Sequence, residues 1–240
     1  MPTILDIRHV SKFFGGLAAN SDVSFSVEQG MIMGLIGPNG AGKTTLFNCI
    51  TGFYPPSRGD VLFKGVRTNG LQPNQMCHLG MVRTWQKVRP LAKMSVLDNV
   101  MVGALARTTR LEVAREVATA QLEVVRLAHK AGAIAGGLPI GERKKLEVAR
   151  ALATRPALLL LDEVMGGLNP AESEEIIQLI LELKRSGLTQ MVIEHDMKAI
   201  MRISDRIVVL NSGEKLAEGE PQQIVNDKAV VAAYLGEEVA

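Results

Sequence analysis

Hydrophobic and polar positions change period several times along this chain. From Ile4 to Val27 the apolar residues fall in short β-type runs, broken at Gly15-Gly16. Asp22-Val23-Ser24-Phe25-Ser26-Val27 alternates polar and apolar, which predicts a half-exposed strand. Met31 to Ile36 is a near-continuous apolar run and predicts a strand buried on both faces. It leads straight into a glycine-rich loop, after which Lys43 to Ile50 reads as a helix. Asp60-Val61-Leu62-Phe63 with Lys64-Gly65 predicts a strand and turn.

From about Gln72 to Leu127 the pattern becomes helical. Ser95 is an expected N-cap for a helix running through Val100. Arg110 to Leu127 places Leu111, Ala114, Val117, Ala118, Leu122 and Val125 at helical spacing. Strands and helices then alternate again. A helix is expected after Gly141, a buried strand over 157–161, a helix over 171–184, a strand over 190–193 and a helix over 197–201. Short strands over 207–210 and 215–217 flank a turn at Asn211-Ser212-Gly213. This alternation predicts an α/β domain with a parallel sheet covered on both faces, and a mostly helical lobe inserted in its middle.

Composition narrows the classes. The 240 residues fit one domain, or one domain with a lobe, and 47% hydrophobic with 22% charged is an ordinary globular balance. A net charge of +2 without a basic run is no nucleic-acid footprint. Two cysteines, Cys49 and Cys77, form no Cys-x-x-Cys, which argues against zinc or iron–sulfur ligation. A disulfide between them stays open, with a reduced chain the better expectation. No apolar run approaches the roughly 20 residues of a membrane span. The run over 156–161 is stopped by Asp162 and Glu163. The start lacks the basic and apolar regions of a secretory leader. The expectation is a soluble chain whose partners supply any membrane spans.

The chemistry starts at Gly37-Pro38-Asn39-Gly40-Ala41-Gly42-Lys43-Thr44, which matches the Walker A pattern. Glycines let the backbone curl so that several N–H groups point at oxyanions. The helix behind adds the positive end of its dipole. Lys43 is the expected ligand of the β- and γ-phosphates, Thr44 of Mg²⁺, and Thr45 of a phosphate. Leu158 to Leu161 followed by Asp162-Glu163 supplies the matching apolar strand ending in acids. Asp162 is expected to hold Mg²⁺ through water, and Glu163 to polarise the attacking water.

The order of these segments resembles the ABC ATPases over nearly the whole chain. The resemblance implies a P-loop NTPase fold of α/β class: a mostly parallel sheet, an antiparallel N-terminal β-subdomain and a helical lobe. It also implies one ATP-binding domain over 1–240, with the lobe at about 90–155. In Arg83-Thr84-Trp85-Gln86, Gln86 resembles the Q-loop glutamine, which touches Mg²⁺ and the lytic water. His195, after an apolar strand, resembles the switch histidine on the γ-phosphate. Phe14, or its neighbour Phe13, occupies the position of the aromatic ring that stacks on adenine.

Leu138-Pro139-Ile140-Gly141-Glu142 resembles the signature segment Leu-Ser-Gly-Gly-Gln, keeping Leu138 and Gly141. The family serine offers a hydroxyl and an N–H to the ATP of the opposite subunit. Pro139 has neither, which leaves the N–H groups of Ile140 and Gly141 and implies weaker ATP sandwiching. Asn169 stands where the family more often has aspartate, and Val164 where a proline is common.

Several details resemble one subgroup, the ATPases of branched-chain amino acid importers. They are Asn48-Cys49-Ile50-Thr51-Gly52-Phe53-Tyr54, Arg83 to Gln86, Gly167-Leu168-Asn169-Pro170, Ile193-Glu194-His195-Asp196-Met197 and Ala233-Tyr234-Leu235-Gly236. That likeness implies two transmembrane permease subunits, a second ATPase subunit, identical or paralogous, and a periplasmic or extracellular solute-binding protein. It also implies a place on the cytoplasmic face of the plasma membrane. Rival readings are a lipid or lipopolysaccharide exporter ATPase and a soluble ABC ATPase of iron–sulfur assembly. A P-loop kinase or GTPase is disfavoured by the signature segment and by the lack of an Asn-Lys-x-Asp motif.

Overall fold

The computed structural model describes residues 2–86 and 89–235. Its first element is a long hairpin of β1 (Thr3–Phe14) and β2 (Leu17–Glu28). The turn between them holds Gly15 at φ 58, and three of the four register shifts along the pair lie beyond Ile7. The runs read as short from sequence are thus two continuous twelve-residue strands whose pattern is interrupted by bulges. With β4 (Arg58–Phe63) and β5 (Val66–Arg67) they make an antiparallel sheet ordered β2-β1-β4-β5. Leu5, Ile7, Val23, Phe25 and Val61 face inward, and polar residues face water between them.

The main sheet has six strands, ordered β10-β9-β3-β8-β7-β6. They are β3 (Ile32–Ile36), β6 (Met81–Arg83), β7 (Leu158–Asp162), β8 (Thr189–Ile193), β9 (Arg206–Asn211) and β10 (Glu214–Gly219). All neighbours are parallel except β9 and β10. Every residue of β3, β7 and β8 is buried, because both faces are covered. On β7, Leu158 and Leu160 join the core shared with the antiparallel sheet and α1 (Lys43–Ile50), which contributes Leu46, Phe47 and Ile50. Leu159 and Leu161 face the opposite core.

That second core contains α3 (Val96–Ala104), α4 (Leu111–Val124), α5 (Ile140–Ala153) and α6 (Pro170–Arg185). Ser95 does cap α3: its Oγ accepts from Asp98 N at 3.0 Å. At the crossing of α3 on α5, a Cβ on Gly103 would lie 2.2 Å from Arg150 O, so only glycine allows this approach.

The short elements α2 (Pro73–Leu79), α7 (Met197–Ile203), α8 (Pro221–Val225) and α9 (Lys228–Leu235) complete the chain. The stretch read as the start of a helical section also holds β6, the edge strand of the main sheet. Three residues carry too little periodicity to announce it. Cys49 and Cys77 are both free, and burial pushes the Cys49 thiol up to about 11. Among the described residues no helix is long and apolar enough to cross a membrane.

Candidate functional site

Strand order sets the site. β3, β8, β7 and β6 are neighbours and parallel, so their C-terminal ends share one edge. Such an edge is where ligands bind in open α/β sheets. Off β3 comes the glycine-rich loop, off β8 His195, off β7 Asp162 and Glu163, and off β6 Gln86. Residues as far apart in sequence as Gly37 and His195 therefore meet because the sheet is ordered this way.

The loop bends at Gly37, Gly40 and Gly42, with φ of 150, 76 and 96. Gly42 precedes α1 in the left-handed region, and a Cβ there would lie 2.4 Å from Ala19 O. No side chain caps α1 and no acid sits in its first turn, so its N–H groups stay available to an anion. Lys43 is buried and donates from Nζ to Gly37 O at 2.6 Å and Pro38 O at 2.8 Å. A cleft of about 420 Å³ opens over the loop from Asn39 to Thr45, and Phe14, Gln86, Glu163 and His195 also line it. Phe14 stands edge-on to Tyr54 at 5.3 Å, with Lys12 Nζ 5.2 Å from its ring centre. Phe13 instead lies under Arg58 and does not line the cleft.

Glu163 is the centre of the polar contacts. His195 Nε2 lies 2.8 Å from its Oε1, and Gln86 Nε2 donates to its Oε2 at 2.6 Å. The backbone of Glu163 is left-handed, at φ 50. For a non-glycine residue that costs about 1–3 kcal/mol. Asp162, just before it, is buried, and Arg83 Nη2 donates to its Oδ2 at 2.5 Å. Its Oδ1 has no partner. Burial raises the Asp162 carboxyl, and Arg83 opposes that rise. Arg83 also donates to Asn48 Oδ1 at 2.5 Å and lies 4.5 Å from the Trp85 ring centre.

Sequence reasoning missed the charges beneath this surface. Lys144 on α5 donates from Nζ to Glu163 O at 2.7 Å. Glu194 Oε1 accepts from Met165 N at 2.7 Å, and Glu147 Oε1 from Trp85 N at 2.8 Å. All three are buried. Burial lowers Lys144, and Glu194, Glu147 and Glu163 oppose it. Burial pushes Glu194 up to about 7 against the Met165 N–H and Lys144. Burial likewise raises Glu147. One signal was readable: Lys144 and Glu147 sit three apart on the face of α5 that also holds Val148 and Ala151, a place for apolar residues.

Ile140 and Gly141 lie apart from the cleft. They open α5, whose N-cap is Pro139, with no side-chain cap. A separate cavity of about 400 Å³ is lined there by Pro139, Gly141, Glu142 and Glu172.

The family model described as ABC transporter matches residues 20–166. This chain belongs to the ABC transporter family. A second model, described as branched-chain amino acid ATP-binding cassette transporter, matches residues 214–240. The ABC chain is 41% identical over 98% of its length to the high-affinity branched-chain amino acid transport ATP-binding protein BraF of Pseudomonas aeruginosa, covering 98% of that protein. It is likewise 41% identical to LivG of Escherichia coli K12, with 98% of each chain covered. Among solved structures, the ADP conformation of MJ1267, an ATP-binding cassette of an ABC transporter, superposes with a TM-score of 0.90 at 34% identity, covering 98% of this chain and 100% of that one. The ABC chain is thus a nucleotide-binding ATPase subunit with the fold of that family.

Proposed function

We propose that this ATPase energises an importer for branched-chain or other hydrophobic amino acids, or a related small polar solute. The single observation behind the hydrolytic reading is Glu163, held between Gln86 and His195 over the glycine-rich loop. Support for the cargo comes from BraF and LivG, branched-chain amino acid transport ATP-binding proteins that each align over nearly their whole length.

ATP lies in the cleft with its adenine on Phe14 and its phosphates on the N–H groups of 37–45, Lys43 and Thr45. Water attacks the γ-phosphorus, the bond to the β–γ bridging oxygen breaks, and ADP and phosphate leave. Glu163 accepts the proton of that water, and Gln86 and His195 fix its direction. His195 then bonds the γ-phosphate oxygens. Thr44, Gln86 and Asp162 would suit Mg²⁺: the three line one cavity, and Asp162 Oδ1 is a buried oxygen acceptor without a partner. That ion, when bound, neutralises charge on the phosphate oxygens.

Ile140 and Gly141 lie away from the chain's own cleft and serve instead the ATP held by a second ATPase subunit, paired head to tail. Nucleotide then closes the pair and hydrolysis reopens it, provided ATP binds the closed form better. Residues 1–240 act as one ATP-binding domain, with the lobe at about 90–155. The segment from Gln86 to Met94, of which 87 and 88 lie outside the described residues, passes the motion to two permeases at the cytoplasmic face. The exposed Phe53–Trp85 pair beside it, 4.6 Å apart, is a fitting contact. A solute-binding protein delivers cargo from the other side. The test is co-purification followed by transport: tagged chain should bring down two permeases, and vesicles containing the complex should take up leucine only with ATP and the binding protein. Uptake of other solutes but not leucine would move the cargo; capture of soluble partners alone would overturn the transport reading.

A further inference from the structure

The turn after β7, residues 163–166, carries Glu163 in a left-handed conformation that it would not adopt unaided. Three contacts from outside the turn hold its backbone. Glu163 N donates to Ile193 O at 2.9 Å, which extends the contact of β7 with β8. The other two come from buried ionisable side chains. Lys144 Nζ donates to the carbonyl at the head of the turn, 2.7 Å away, and Glu194 Oε1 accepts the Met165 N–H, 2.7 Å away. Each side chain's residue is only 4% exposed. Burying two ionisable groups is expensive, and an apolar residue at either place would leave Glu163 O or Met165 N without this partner.

The positions of the two residues in the fold give the clamp its meaning. Lys144 lies one helical turn after Ile140, on the same face of α5. Glu194 directly precedes His195 at the end of β8. One end of the clamp is therefore rooted in the helix that begins at the signature segment. The other is rooted beside the histidine that contacts Glu163.

We infer that Lys144 and Glu194 are positioning residues that clamp the 163–166 turn, and that Lys144 ties the placement of α5 to the direction of the Glu163 carboxylate. The segment by which a subunit reaches its partner's nucleotide then also sets that subunit's own hydrolytic carboxylate. This rests on the proposed role of Glu163. Neither Lys144 nor Glu194 lines the nucleotide cleft, so the clamp acts on turnover rather than on ATP affinity.

The experiment uses the full chain assembled with its partner subunits, and compares Lys144→Met, Lys144→Arg and Glu163→Gln with wild type. Lys144→Met keeps the length and loses the donor. It should lower kcat about tenfold or more and leave KM for ATP within about twofold, since a carboxylate misplaced by about 1 Å costs of that order. Lys144→Arg should recover most of the loss. Should the methionine variant fail to fold, Lys144→Gln is scored by the same split. Wild-type kcat in the methionine or glutamine variant, a change confined to KM, or an arginine variant as slow as the methionine one would overturn the clamp. If Glu163→Gln is inactive in the same assay, such a result sinks the clamp alone. If Glu163→Gln still turns over, the reading of Glu163 falls with it.

Discussion

His195 Nε2 lies 2.8 Å from Glu163 Oε1, although the two residues are 32 positions apart in sequence. The contact exists because β7 and β8 are parallel neighbours, with Asp162 opposite Ile193. Glu163 and His195 leave adjacent strand ends in the same direction. Gln86 closes the other side of the carboxylate from β6. Glu163 thus has a partner on each oxygen, and its direction is set by two side chains that follow separate strands.

From that arrangement, Glu163→Gln should reduce ATP turnover by about 10²–10⁴-fold, the usual worth of a general base, and leave ATP binding intact. The amide keeps the shape of the carboxylate but cannot take a proton. His195→Ala should fall in the same range. Single-turnover hydrolysis beside equilibrium binding of ATP separates the two effects. A glutamine variant with wild-type turnover would remove Glu163 from its role.

Phe14 and Phe13 are adjacent on β1, so they point to opposite faces. The one lining the cleft is Phe14. Phe14→Ala should weaken ATP binding by about 3–10-fold, in line with roughly 0.5–1.5 kcal/mol for an aromatic contact. Phe13→Ala should leave affinity unchanged. Titration calorimetry with both variants is the check, and equal losses would deny Phe14 its adenine.

Arg83 and Asp162 form an ion pair whose side chains are 5% and 2% exposed. Removing one member strands the other. Arg83→Met should cost about 3–5 kcal/mol of unfolding free energy. Adding Asp162→Asn should recover part of it, because the stranded charge is then gone. The single tryptophan, Trp85, stacks on Arg83, so its emission should shift in the same variant. Urea unfolding followed by that emission tests both points. A double variant no more stable than the single one would mean that the pair is not what holds Asp162.

These pairs also mark where sequence reading stops. The strands β3 and β7 were legible because burial on both faces leaves a run of apolar residues with no alternation to misread. The Gly37 to Thr44 loop was legible because four spaced residue types are rarely found together by chance. The edge strand β6 was not, since Met81-Val82-Arg83 is too short to show a period. Arg83 was noticed only as a neighbour of Gln86. Its partner stands 79 residues away, and only the adjacency of β6 and β7 makes them a pair. Glu194 was invisible for the same reason, and of Lys144 only its place on the apolar face of α5 could be read. A lysine on a charged helix and a glutamate before a histidine look like solvated residues until the sheet and α5 close over them.

Glu194 gives the protein a pH dependence whose sign can be worked out. Its carboxyl has an ordinary value of 4.5 and is pushed up to about 7 by burial. Between those values the folded chain holds the proton more tightly than the unfolded chain. Ionising Glu194 therefore costs stability as pH rises from about 4.5 to about 7, and the cost is constant above that. Glu194→Gln keeps an acceptor for Met165 N and removes the ionisation. Its melting temperature relative to wild type should climb between pH 5 and pH 7.5, by an amount worth up to about 3 kcal/mol at 1.36 kcal/mol per pH unit. Taking the difference cancels Glu147 and Asp162, which are present in both proteins. A difference independent of pH would mean that Glu194 is ionised throughout.

Pro139 is where the signature segment departs furthest from its family. It is the N-cap of α5, and its carbonyl accepts from Arg143 N at 3.0 Å. It offers no donor. Carboxylates also crowd this helix start: Glu142 pairs with Lys130 at 2.5 Å, and Glu172 Oε1 lies 2.7 Å from where a Cβ on Gly141 would be. Both oppose the anion-binding tendency of the helix N-terminus. A serine at 139 would restore an N–H and a hydroxyl without disturbing the cap, since serine is among the preferred N-cap residues. One charge-assisted hydrogen bond contributes about 1.5–3 kcal/mol, so Pro139→Ser should tighten ATP-dependent pairing by roughly tenfold or more. The measurement is sedimentation of Pro139→Ser in a Glu163→Gln background, where hydrolysis does not reopen the pair, across a range of protein concentrations with and without ATP. If the midpoint of association does not move, the proline is not what weakens the sandwich, and the two carboxylates become the next substitutions to make.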